Sequence, residues 1–149
     1  MAKQVLIVDD DRNTVKFLSV ALRDNGYDTA CAYDGSEGLQ KVSQSKPDLI
    51  ILDVMMPKKS GFVLFQQLKK DELHKDIPVL MLTAVSGIFE ELESHKEETF
   101  EKPYDSLREA LKKKIRQMRQ EGLLSPDMFV DKPIDPDAFI ARVQQLIGT

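Results

Sequence analysis

The chain opens with Val5-Leu6-Ile7-Val8, an unbroken apolar run that stops abruptly at Asp9. A run that short, apolar without alternation, predicts a strand covered on both faces. Val15, Leu18, Ala21 and Leu22 then recur at spacings of three and four, with Gly26 just beyond, which predicts an amphipathic helix and its stop. The alternation repeats. Thr29 to Tyr33 predicts a second strand, Ser36 to Val42 a second helix, and Asp48 to Leu52 another buried strand ending in acid. Pro57 and Gly61 mark a loop, Phe62, Phe65 and Leu68 give a third helical stripe, and Val79 to Leu82 follows Pro78 as a fourth strand. Strand–helix alternation of this kind implies a parallel, doubly wound sheet of the α/β class.

Past Ala84 the alternation fails. Residues 86–127 form a long, highly charged insertion before the strand-like Met128-Phe129-Val130. Within it, Ser106-Leu107-Arg108-Glu109 has the form of a capping box, and Leu107, Leu111, Ile115 and Met118 supply one helical stripe, ended by Gly122. The cluster Lys112, Lys113, Lys114, Arg116 and Arg119 falls late in that helix, where the dipole favours cations, so a solvated end is preferred over a nucleic-acid contact. Pro136 to Ile147 closes the pattern with Phe139, Ile140, Val143, Leu146 and Ile147 on one stripe.

Composition narrows the reading. At 149 residues with 42 % hydrophobic content the chain fits one domain, 1–149, with the insertion inside it. A net charge of -4 gives no global attraction to nucleic acid or anionic membranes, and neither is expected as a partner. The single Cys31 excludes an internal disulfide, no apolar run approaches the roughly 18 to 20 residues of a membrane span, and a cytoplasmic setting is expected. Cys31 reads as a small core residue, and His74 and His95 lack metal-like spacing.

Ligands of open parallel sheets gather at the carboxyl ends of the strands. Those ends carry Asp9-Asp10-Asp11, Asp53, Thr83 and Asp131-Lys132-Pro133. Asp9, Asp10 and Asp53 brought together would store repulsion that a hard divalent cation relieves; magnesium suits such an oxygen set, and calcium uses the same residue types. With Lys132 as a second positive charge and the Thr83 hydroxyl as a donor, a phosphoryl group would be stabilised and Asp53 remains as nucleophile. Taken singly, each residue has a plainer role: Asp11 as cap of the first helix, Thr83 as a strand-end threonine, Lys132 as a solvated lysine.

In order and in strand context, VLIVDD (Val5 to Asp10), ILDVMMP (Ile51 to Pro57), LTA (Leu82 to Ala84) and VDKP (Val130 to Pro133) resemble the motifs of response-regulator receiver domains. The resemblance covers roughly residues 3 to 85 and 126 to 148 and implies a flavodoxin-like five-stranded sheet in the order 2-1-3-4-5. It implies Asp53 as phosphoacceptor, Asp10 as a direct Mg2+ ligand, the Met55 carbonyl completing the metal shell and Asp9 assisting through water. It further implies Lys132 as the ion-pair partner of the phosphoryl group, Thr83 and Phe129 as the switch, and a cis bond before Pro133. The implied protein accepts phosphate from a histidine kinase or phosphotransfer protein, has only weak self-phosphorylation and self-dephosphorylation activity, and signals to a downstream protein, with a homodimer through the face from the fourth strand to the closing helix, Pro136 to Ile147, as one form.

Two features depart from the ordinary pattern. The distance from Thr83 to Lys132 is much longer than in most receivers, as in a stand-alone subgroup enlarged between strands 4 and 5. It also contains a decoy, Glu101-Lys102-Pro103, followed by an amphipathic stretch. Lys132 is preferred because Met128-Phe129-Val130 is apolar, whereas Glu97-Glu98-Thr99-Phe100-Glu101 is too charged for a buried parallel strand. The alternative functions are a covalent aspartate phosphatase, disfavoured because Met55 stands where such enzymes carry a second acid, and an interaction module that has lost phosphorylation.

Overall fold

A computed structural model describes residues 2–53, 61–83, 129–131 and 134–148, with isolated positions 113, 116, 117 and 120; at 62, 83 and 131 the backbone alone is described. The elements are β1 (Gln4–Val8), α1 (Arg12–Asp24), β2 (Asp28–Ala32), α2 (Gly35–Gln44), β3 (Leu49–Asp53), α3 (Gly61–Lys70), β4 (Val79–Thr83), β5 (Phe129–Asp131) and α4 (Pro136–Ile147). The strands form one parallel sheet in the order β2-β1-β3-β4-β5, as the alternation and the resemblance predict.

The unbroken apolar runs are explained by two cores, one on each side of the sheet. Leu6, Val8, Ile50, Leu52, Val79 and Met81 face α2 and α3 and pack with Val42, Leu64, Phe65 and Leu68. Their strand neighbours Val5, Ile7, Leu49, Ile51, Leu80 and Leu82 face the other way, onto Val15, Leu18 and Leu22 of α1 and Phe139, Ile140 and Val143 of α4. Successive side chains of a strand point to opposite faces, so a strand flanked by helices on both sides must be apolar at every position. Cys31 is half-buried against the second core, with its Sγ 3.6 Å from the Ser19 hydroxyl.

Element boundaries follow local chemistry. Asp11 caps α1: its Oδ1 accepts from the N–H groups of Asn13 and Thr14 at 3.0 and 3.5 Å, so the plainer role read for it in the sequence holds. After α1 the chain reverses at Gly26, whose φ of 90° is a conformation that favours glycine. Asp34 caps α2 by accepting from the Glu37 N–H at 2.8 Å. β3 runs one residue later than its apolar pattern, because Asp53 pairs in register with Leu82 of β4 and so belongs to the strand.

Among the described residues, positions 113, 116, 117 and 120 are helical and exposed, and their spacing puts Lys113, Arg116, Gln117 and Gln120 on one helical face. The rest of residues 86–127, on which the expected insertion with its capping box and apolar stripe falls, lies outside the described residues, His95 included. No helix among the described residues is long and apolar enough to cross a membrane.

Gly38 is where α2 comes closest to the sheet. A Cβ there would lie 3.1 and 3.2 Å from the two Val8 methyls and 3.3 Å from Leu64 Cδ2. Alanine would gain about 1 kcal/mol of helix propensity, but Val8 and Leu64 are fully buried and overpacking costs about 1–3 kcal/mol. Gly38→Ala is therefore expected to lower the unfolding free energy by about 1 kcal/mol in urea titration. Asp11→Ala is expected to cost a similar amount, about 1 kcal/mol, through loss of the cap.

Candidate functional site

The register of β1 and β3 determines where the acids meet. Val8 lies opposite Leu52, so the next residues along, Asp9 and Asp53, emerge side by side at the carboxyl end of the sheet. Both are buried, at 0 % and 3 % exposure, while Asp10 is exposed. Asp9 is fixed twice: its N–H donates to the Ala32 carbonyl at 3.0 Å, and its Oδ1 accepts from the Asp11 N–H at 3.0 Å. One carboxylate oxygen from each of Asp9, Asp10 and Asp53 lies within 4.8 Å of the others.

Two buried carboxylates that close repel by on the order of 3 kcal/mol at an effective dielectric of about 20. An oxygen-only set with two buried acids and one exposed one suits a hard divalent cation, and the exposed Asp10 leaves a side open to water and to a phosphate oxygen. The sequence-predicted ligands Asp9, Asp10 and Asp53 are thus brought together, whereas Met55 lies outside the described residues.

Thr83 ends β4 and pairs in register with Asp131, the last residue of β5. Lys132 and the decoy Lys102 lie outside the described residues, but the strand that joins β4 is Phe129–Asp131, the segment preceding Lys132. Phe129, opposite Met81, is buried in the core shared with α2 and α3.

One pair at this end of the sheet goes unnoticed in the sequence. The Arg12 guanidinium lies 4.1 Å from the centroid of the Tyr33 ring. Tyr33 directly follows Ala32, whose carbonyl holds the Asp9 N–H, and the Tyr33 N–H donates to Glu37 Oε2 at 3.3 Å. Only the order of β2 beside β1 could have signalled the contact.

A family model described as the response regulator receiver domain matches residues 5–116. That match ends at residue 116, inside the 86–127 segment and before β5, so it includes Lys102 and not Lys132. The chain is 42 % identical over 144 residues to the DNA-binding dual master transcriptional regulator RpaA of Synechocystis, covering 97 % of this chain and 48 % of that protein. It is 38 % identical over 148 residues to the alkaline phosphatase synthesis transcriptional regulatory protein PhoP of Bacillus subtilis, covering 99 % and 49 %. It spans about half the length of both.

Among solved structures, the chemotaxis protein CheY4 of Vibrio cholerae superposes with a TM-score of 0.68 at 25 % identity, covering 98 % of this chain and 99 % of that one. The relatives correct one expectation, that nucleic acid plays no part. RpaA is named as DNA-binding, and the acidic net charge that argued against such a partner describes a segment half the length of that regulator. The acid-ended parallel sheet and the match over three quarters of the sequence agree, and the chain belongs to the response regulator receiver domain family.

Proposed function

We propose that Asp53 is the phosphoacceptor of a two-component switch, supplied by a histidine kinase or phosphotransfer protein in the cytoplasm. The observation that carries this reading is the convergence of Asp9, Asp10 and Asp53 at the carboxyl end of β1 and β3 in a receiver-family chain. An Asp53 oxygen attacks the phosphorus of a phosphohistidine, the P–N bond breaks with its electron pair leaving on the imidazole nitrogen, and an acyl phosphate forms. Asp10, Asp53 and the Met55 carbonyl would hold Mg2+, with Asp9 acting through water. The cation, when bound, neutralises charge on the transferring group.

Lys132 pairs with a phosphoryl oxygen and the Thr83 hydroxyl donates to another, drawing the end of β4 toward the site. Phe129, at the start of β5, responds with Thr83, so that phosphorylation shifts a two-state surface. Dephosphorylation by water is slow, since Met55 supplies no second acid. The relatives named as transcriptional regulators support a transcriptional output, delivered by an attached or recruited partner.

Incubation with acetyl phosphate and Mg2+ should add one phosphoryl group by intact-protein mass spectrometry, lost in Asp53→Ala and on chelation of the metal. Persistent labelling of Asp53→Ala would sink the assignment. Lys132→Ala should abolish phosphorylation-dependent change in Phe129 environment, read by 19F or 13C NMR, while Lys102→Ala leaves it intact. The reverse result would mean that the pocket is closed by the segment around Lys102, inside the family match.

A further inference from the structure

We propose that Arg12, whose guanidinium lies over the Tyr33 ring, sets which phosphodonors reach Asp53 by favouring the more negatively charged ones. This rests on Asp53 being the phosphoacceptor. A donor must bring its own negative charge up to Asp9, Asp10 and Asp53, with Asp11, Asp34 and Glu37 on the adjoining turns. Most of the turn charges have local work. Asp11 caps α1, Asp34 caps α2, and Glu37 accepts from the Tyr33 N–H and pairs with Lys41 at 3.4 Å. Lys41 is itself engaged, donating also to the Cys31 carbonyl.

Arg12 differs. It is exposed, two residues past Asp10, and among the described residues its guanidinium pairs with no carboxylate and instead lies on the Tyr33 ring. A ring engages the face of a guanidinium and leaves the N–H donors at its edge available to an anion. The ring is in turn anchored by the β2–α2 corner through the Tyr33 N–H and by the register that puts Ala32 beside Val8. The geometry therefore keeps one cation standing at the β1–β2 rim of the acidic mouth without neutralising it.

Two small donors separate this role from a structural one. Acetyl phosphate reacts as a dianion: the new P–O bond to Asp53 forms as the bond to the acyl oxygen breaks, and acetate leaves with the electron pair. Phosphoramidate reacts as a monoanion already protonated on nitrogen: the P–N bond breaks and neutral ammonia leaves. One charge acting across a solvent-rich mouth changes a rate by about 3-fold per donor charge. Arg12→Gln should therefore slow acetyl phosphate labelling of Asp53 about 10-fold and phosphoramidate labelling about 3-fold.

The difference should shrink toward unity in about 0.5 M salt. Arg12→Lys should restore much of the donor preference, and Tyr33→Leu, which releases the guanidinium, should fall between wild type and Arg12→Gln. Equal slowing of both donors, or slowing insensitive to salt and not rescued by lysine, would make Arg12 a structural residue and overturn the proposal; unchanged rates in Arg12→Gln would do the same. If the wild-type chain labels with neither donor, it is the assignment of Asp53 that fails.

Discussion

Repulsion between Asp9 and Asp53 is the constraint on which the rest of the structure turns. Both carboxylates are buried, and the register of β1 against β3 leaves them no room to separate. What holds them is apolar: Val5 to Val8 and Leu49 to Leu52 are buried at every position, alternately into one core and the other. Slipping either strand by one residue would turn each of those side chains to the wrong face, so the register is held by many buried contacts at once. The electrostatic cost is concentrated at one end of the sheet, and the hydrophobic gain is spread along it.

The turns around the acids extend the same economy. Asp11 and Asp34 look like additions to an already negative mouth, yet each has its charge directed at helix N–H groups. Capping lets acid accumulate at the strand ends with less mutual conflict than the bare count suggests. The β2–α2 corner applies the principle twice, since Glu37 binds a backbone N–H on one side and Lys41 on the other.

Much of this was legible in the sequence because burial on both faces leaves an unmistakable run of apolar residues. The meeting of Asp9, Asp10 and Asp53 follows from runs that end in acid, the α4 boundaries Pro136–Ile147 from an apolar stripe opened by proline, and the sheet order from the family resemblance. Boundaries shifted where pairing extends past the apolar run, as at Asp53 and at Asp131, because a ladder partner and not hydrophobicity defines the last strand residue. Arg12 and Tyr33 went unread although the expected order already put β2 beside β1, because strand order brings two segments together without saying which side chains touch. The expectation about nucleic acid fails for a different reason. Net charge describes these 149 residues, whereas the DNA-binding relative is about twice as long.

The two cores give the fold a property that neither would have alone. Among the described residues the two clusters share no side chain, and the sheet runs between them. Phe129 belongs to the core of α2 and α3, while α1 and α4 close the opposite one. Repacking around Phe129 can therefore alter one face and leave the steric fit of the other undisturbed. A lineage can thus remodel the surface over Phe129 while keeping intact the surface against α1, much as two rooms sharing a wall can be refurnished independently.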